Sequence, residues 1–478
     1  MQKTRLACRV GFRGNIGLER AIGVDSNRLG KKALVVGASI AGLLAARVLS
    51  DHFEEVVLID RDSLPEDAMD RKGVPQGRYY HVLLIRGQES LERFFPGFAI
   101  RLDEAGAPYV KWLSETRLCV NNGWLNRNDL NITTRNITRP KLEWIIREEL
   151  KNRSNISFVD NCQADGLMID NSGSRIIGLN VSYRRNAANQ AGKTALLEGD
   201  LVIDASGRNS KLPMWLQSLG YEKPAKTEVN SWLGYSSRFY SKLSYDPDWK
   251  VMVMNSTAPD QPRGGSISLH ENGQWMVTLT GYGRQHQPPT DPDEFLAFAK
   301  SLVYSDVYDA IATAIPSSEI GGFANTSNIW SHFEQLNRLP VGLIALGDSV
   351  GCFNPIYGQG MTTAALAAEA LDAVLSDEKS IGTVGIAVQK RLAKILNTPW
   401  LMATAVDFQY PETEGKRPGG FASILQRYFD RLLANMRDDA QTARTFIEVL
   451  NMVKTPTSLF DLGLIGKALK IMPLRSGD

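Results

Sequence analysis

The chain has 478 residues, 54 Lys and Arg against 52 Asp and Glu, and a formal net charge of +2. That length accommodates two or three domains around a large core, and the near-neutral balance argues against dedicated nucleic-acid binding. Cys8, Cys119, Cys162 and Cys352 lie far apart, without a C-x-x-C pair or zinc-type spacing, so free thiols in a reducing compartment are expected and a metal site is not.

Residues 1–30 carry Arg5, Arg9, Arg13, Arg20 and Arg28 against only Glu19 and Asp25. They lack the apolar centre of a signal peptide and are expected to form a flexible extension, with the fold beginning at Lys31. No apolar run reaches the ~20 residues that a membrane helix needs. A cytoplasmic protein without a transmembrane segment is expected, and the N-x-T triplets at Asn131 and Asn136 are read as chance.

From Lys31, "ALVVG" is an apolar run of the buried-strand type, and residues 40–50 then switch to helical spacing. "EVVLID", residues 55–60, is a second buried strand that ends in an acid, which completes a βαβ opening. Residues 61–80 are charged and rich in Pro and Gly, the composition of a long loop, and a loop of that length beside a ligand site is usually functional. Helical patterns follow near 86–95 and 139–152, the latter with Pro140 in its first turn. Residues 198–220 read as strand, Gly turn and helix. Residues 228–282 alternate aromatic and β-branched with polar residues, as antiparallel strands do. Residues 341–375 return to strand, loop and helix, and the tail from about 383 is mostly helical. No tandem repeat is present.

Three motifs carry chemistry. In "VVGASIAG", Gly37 and Gly42 hold the outer places of a dinucleotide turn, Ser39 takes the central one, and Ile40 and Ala41 open the helix. The first Gly allows the tight turn and the last lets helix and strand approach, so that a pyrophosphate sits at the helix N-terminus. Serine is small, and its hydroxyl can donate to phosphate. Asp60, 23 residues beyond Gly37, stands where an acid accepts bonds from ribose hydroxyls, with Arg61 next to it. The second motif, "ALGDSVGCFNPIYGQGMTTAAL", places Gly347 and Asp348 after an apolar strand. Phe353 and Pro355 follow, and Gly358-Gln359-Gly360-Met361 open an Ala-rich helix. A carboxylate there suits ribityl hydroxyls, and the helix amides suit an anionic flavin edge. The third, "VIDASGRNSKL", contains Asp204, Gly207 and Arg208.

With these blocks in this order, residues 32–375 resemble the class A FAD-dependent monooxygenases of the p-hydroxybenzoate-hydroxylase-like fold. "RKGVPQGRYYHVLL" and "DASGRNSKLPMWL" look most like the polyether-type alkene epoxidases. The resemblance implies an α/β fold with a Rossmann-like FAD-binding domain interleaved with a β-sheet substrate domain, plus a helical C-terminal region. The expected boundaries are an N-terminal extension at 1–30, FAD-binding parts at 31–110, 139–225 and 331–382, substrate parts at 111–138 and 226–330, and helices at 383–478. It also implies that Arg139 contacts FAD from the start of its helix. Arg71, Gln76, Arg78 and His81, on the long loop, would then approach the flavin, Arg78 and His81 as candidates near the reacting centre. The family's middle block has an adjacent Asp-Gly, whereas two residues separate Asp204 from Gly207 here, so the expected NADH or NADPH contact there is not carried over directly.

By the same resemblance, one oxygen atom of O2 is inserted into a lipophilic natural-product intermediate through a flavin hydroperoxide, by epoxidation or hydroxylation. The reductant is NADPH or NADH, bound transiently or acting through a separate flavin reductase, and no catalytic side chain is obligatory. Trp232, Tyr235, Arg238, Tyr240 and Phe353 are candidate substrate contacts. In "SWLGYSSRFY", Trp232, Ser236, Arg238 and Tyr240 alternate with Leu233, Tyr235 and Phe239, and periodicity does not decide which face meets substrate. A W-x-W-x-I-P halogenase motif, a nucleophile elbow, a zinc-protease motif and a Walker lysine are all absent. A reductase of the geranylgeranyl-reductase type and a non-catalytic flavin-binding protein remain as alternatives, as do a monomer and a homodimer.

Overall fold

The computed structural model describes residues 28–184, 192–324, 326–378, 380–417 and 421–470. The extension expected at 1–30 lies almost wholly outside the described residues, as does Cys8.

The organising element is a five-stranded parallel sheet in the order Leu343–Ala345, Leu201–Asp204, Gly30–Val36, Phe53–Ile59, Ile156–Val159. Ala33, Leu34 and Val35 are fully buried, as expected of a parallel strand covered on both faces. Gly30–Val36 is central, and its two neighbours continue the chain in opposite directions. A crevice therefore opens beyond its carboxyl end, where such sheets bind ligands. Helices Ile40–His52, Arg139–Lys151 and Gln359–Asp377 contribute to the same core. Cys162–Ile169, Ile176–Tyr183 and Thr194–Glu198 form a small antiparallel sheet joined to it.

The second layer is a mixed eight-stranded sheet built mainly from Gly234–Lys242, Trp275–Gly281, Arg263–Leu269 and Val251–Met254, with Thr116–Val120 added from much earlier in the chain. One face carries Tyr240, Ile267, Val277 and Leu279 and is sealed by helices Pro292–Lys300 and Asp306–Ile311 through Phe295, Phe298 and Val307. The first of these helices is well started: Asp291 accepts from the amides of Asp293 and Glu294 at 3.0 and 3.1 Å, and Pro292 occupies its first turn. The register places Tyr235, Ser237 and Phe239 with Thr280, Thr278 and Met276 on the opposite face.

The long helix Ile381–Asp407 packs Val384, Val388 and Leu392 into the core of the parallel sheet. Beyond it, Phe421–Asn435 and Ala440–Leu450 bring Met436, Ala443 and Ile447 against Leu113, Leu125 and Ile132. The architecture is thus α/β: a Rossmann-like domain assembled from distant chain segments, interleaved with a β-sheet domain and followed by a helical C-terminal region.

Candidate active site

The first strand ends at Gly37, whose φ of +101° is a left-handed conformation that a side chain would strain. A Cβ there would also meet the Ala205 carbonyl oxygen at 2.4 Å. Gly42 sits tighter still: a Cβ would stand 1.7 Å from the Gly37 oxygen. Between them, the Ala38 amide donates to Asp60 Oδ2 at 2.8 Å, and the Asp62 amide donates to Asp60 Oδ1 at 2.9 Å. The acid at the end of the second strand thus fixes the turn.

Ser39 is committed to the protein. Its hydroxyl donates to Glu143 Oε1 at 2.5 Å and accepts from the Arg139 guanidinium at 2.9 Å. Arg139 also bonds Glu143 Oε1 through Nε at 3.0 Å. From the long loop, buried Arg71 reaches Asp60 at 3.1 Å, the Ala38 carbonyl at 3.1 Å and Glu143 Oε2 at 2.8 Å. Burial opposes the Arg71 charge, but Glu143 and Asp60 outweigh it and raise the guanidinium pKa. Burial likewise pushes the Glu143 carboxyl up, while Arg139, Arg71 and the Ser39 hydrogen bond bring it below the ordinary value. Glu143, absent from the sequence reading, is the hub of this network. The i,i+4 pair in "RPKLE" was its signal.

The loop does not deliver all its candidates to one place. Arg61 is exposed, and Arg78 is exposed beside Asp70 at 3.3 Å. His81 lies inward, its Nδ1 2.7 Å from the Tyr79 carbonyl oxygen, and burial with Arg139 nearby lowers its pKa to about 4. It is a neutral imidazole at neutral pH.

On the other side of the crevice, Asp204 is 1 % exposed and braces its own turn, accepting from the Ser206 amide at 3.1 Å and the Ser210 hydroxyl at 2.5 Å. Burial raises its pKa. The Gly207 amide donates to Ser349 Oγ at 3.0 Å, and Arg208 donates to the Ser327 carbonyl at 2.6 Å. Gly347, at φ +62°, lies against the opening helix, where a Cβ would be 2.6 Å from that of Ala41. Asp348 next to it is solvent-accessible, yet it lies in so concave a place that the surrounding protein raises its carboxyl pKa, with Arg139 and Arg208 acting in the opposite direction.

The helix Gln359–Asp377 begins at left-handed Gly358, φ +62°, with no side chain capping its first amides. Gly360 is exposed and a Cβ there would touch nothing within 4 Å. Pro355 is exposed, Phe353 half-buried and Met361 buried, while the buried Gln359 leaves its Oε1 without a hydrogen-bond partner. The result is an open, positively polarised helix end facing free space.

The aromatic candidates are divided. Tyr235 clusters with Leu233, Tyr282 and Tyr410, adjoining Tyr79 and Ile356 of the loop just before Gly358. Tyr240 is sealed in the helix-covered core, Arg238 lies on that same helix-covered face and donates to the Ser318 carbonyl at 2.9 Å, and Trp232 carries Arg284 3.8 Å over its ring. His270, also unforeseen, is 2 % exposed with no hydrogen bond at Nδ1, which lies 4.0 Å from the Glu271 carboxylate, and burial lowers its pKa to about 3. Among the described residues, no group of His, Cys, Asp and Glu is arranged to hold a metal ion, and no helix is long and apolar enough to cross a membrane.

No known family profile matches the chain. It is 29% identical over 454 residues to Protein Rv3254 of Mycobacterium tuberculosis, covering 91% of this chain and 93% of that one. A triple mutant of the flavin-dependent brominase Bmp2 superposes with a TM-score of 0.63 at 14% identity, covering 91% of this chain and 96% of the other. PqsL, described as a probable FAD-dependent monooxygenase from Pseudomonas aeruginosa, gives a TM-score of 0.57 at 14% identity, covering 87% and 99%. Sheet order, crevice and these likenesses agree: the chain has the class A FAD-dependent monooxygenase fold, the p-hydroxybenzoate-hydroxylase-like architecture.

Proposed function

We propose that this protein is a flavin oxidoreductase, and more specifically an FAD-dependent monooxygenase that inserts one oxygen atom into a lipophilic substrate. The observation that carries the reading is the convergence of the two glycine motifs: Gly347 abuts Ala41, and Arg139 joins Ser39 while acting on Asp348 across the crevice.

The residues fit the group. The first amides of the helix Ile40–His52, which no side chain caps, suit the pyrophosphate, with Arg139 beside Ser39, and Asp60 keeps acceptor capacity on Oδ1 for ribose hydroxyls. Asp348 is the accessible acceptor for a polyol chain, and the uncapped helix end at Gly358–Gly360 suits an anionic ring edge. Bound FAD supplies the oxygen chemistry, while the protein binds, orients and excludes water. Tyr79, Tyr235, Tyr410 and Ile356 support a lipophilic substrate, since they form an aromatic and aliphatic wall beside the second motif. In this reading NADPH or NADH is the reductant, directly or through a flavin reductase.

The test is FAD uptake followed by substrate-dependent oxygen consumption with NAD(P)H and product mass analysis, with and without bromide. Incorporation of one oxygen atom is expected. Alkene reduction without oxygen uptake points instead to a reductase, halogenated product to a halogenase, and a protein that gains no flavin absorbance sinks every flavin reading.

A further inference from the structure

The loop that carries the second motif is tied down from an unexpected direction. Asp407, the last residue of the long helix Ile381–Asp407, is fully buried. Its Oδ1 accepts from Asn354 Nδ2 at 2.7 Å and its Oδ2 from Asn328 Nδ2 at 2.5 Å. Both amides are held in that orientation by their other ends. Asn328 Oδ1 accepts from the Asn354 backbone amide at 2.8 Å, and Asn354 Oδ1 accepts from the Ile356 amide at 3.4 Å. Ser231 adds a third hydrogen bond to the carboxyl, and Thr413 donates to the Asp407 carbonyl at 2.5 Å. Asn354 immediately precedes Pro355–Tyr357, the turn that leads into Gly358 and the open helix end.

We propose that Asp407 is a positioning residue for the flavin site: through Asn354 it holds the loop 353–360 in the conformation that receives the flavin ring. The inference rests on the flavin reading above. Asp407 does not itself face the crevice and acts only through Asn354 and Asn328.

A carboxylate accepts from two amides with charge-assisted bonds, roughly twice as strong as neutral ones. Burial, however, pushes the Asp407 carboxyl up to about 7, with Asn354, Ser231 and Asn328 pulling it down. Among the described residues, no cation is one of the groups that shift it. Of the titratable groups on the segment that follows, Tyr410, whose phenol burial pushes up to about 12, interacts with the carboxyl, while Glu414 pairs with Arg284 at 2.7 Å and Arg417 donates to the Phe408 carbonyl at 2.8 Å. Two trends of opposite sign follow. Because the folded-state pKa is raised, this group's contribution to fold stability is present at low pH and lost as pH rises towards 7. Its grip on Asn354, by contrast, strengthens as the carboxylate forms.

The experiment measures the FAD dissociation constant and the melting temperature of the apoprotein from about pH 6 to about pH 8, for wild type, Asp407→Asn and Ser231→Ala. Wild type is expected to bind FAD several-fold more tightly at the upper end. Asp407→Asn turns an amide donor towards one of the two asparagines and is expected to bind about 10-fold more weakly, with no inflection, while its apoprotein still melts cooperatively. Ser231→Ala keeps the carboxyl and removes one stabilising bond, so its inflection moves to higher pH; it also carries the test if Asp407→Asn does not fold. Wild-type affinity and pH dependence in Asp407→Asn overturn the proposal, as does an unmoved inflection in Ser231→Ala. Wild-type protein that takes up no FAD at any pH overturns the flavin reading, and the proposal with it.

Discussion

Gly42 stands so close to Gly37 that the smallest side chain at position 42 would lie 1.7 Å from the Gly37 carbonyl oxygen. The obstacle is backbone and cannot rotate away, so even Gly42→Ala is expected to cost about 3 kcal/mol or more and to lower FAD retention. Gly42→Trp is expected to abolish it. Thermal melting and flavin absorbance after gel filtration check both.

Ser39→Gly gives the opposite outcome. The serine hydroxyl is spent on Glu143 and Arg139, yet Glu143 keeps its bonds to Arg71 and Arg139 when the hydroxyl is removed. FAD titration should show a loss of less than about 10-fold, within the ~0.5–1.5 kcal/mol typical of one hydrogen bond.

Glu143→Ala should be far more severe. It leaves the guanidinium groups of Arg71 and Arg139 without their shared carboxylate, and breaking a buried pair costs about 3–5 kcal/mol. A fall in denaturation midpoint together with faster proteolysis within residues 61–80 is the expected result. Proteolysis unchanged from wild type would show that Arg71 does not anchor that loop.

Gly360→Asp separates folding from binding. A Cβ there meets nothing within 4 Å, and an acid in the first turn favours the helix dipole, so the melting temperature should hold or rise. The same charge occupies the open helix end proposed for the flavin, so FAD binding should be lost. Retained binding would place the flavin edge elsewhere.

Acid should destabilise the fold through its buried histidines. His270 is held down at about 3 and His81 at about 4, both by burial first, against an ordinary 6.5. As pH falls below 6.5 the unfolded chain takes up protons that the native state refuses, and stability declines towards those folded-state values. The limit is ~1.4 kcal/mol per pH unit for each histidine, and His81, partly open to solvent, contributes less. His270→Phe should flatten the slope of the melting temperature across about pH 4–6.5.

Local pattern made the parallel-sheet elements and the glycine turn legible, because strand burial, helix spacing and turn chemistry are properties of short windows. "ALVVG", "EVVLID" and the Gly37, Gly42 and Asp60 positions therefore read correctly as one βαβ unit. Ser39 was expected to offer its hydroxyl to a phosphate, whereas in the structure that hydroxyl turns to Glu143. Periodicity likewise separated Tyr235 from Tyr240 without telling which face would be sealed, because that depends on where helices Pro292–Lys300 and Asp306–Ile311 dock. Glu143 and Asp407 show the limit most clearly. Their roles arise from partners 104 and 53 residues away, Ser39 and Asn354, and no local rule couples such distances. By itself, the sequence determined the elements, the turn glycines and the order of the motifs. Only the tertiary structure decided which polar groups meet in the crevice, because burial forces each to find a partner wherever the packing brings one.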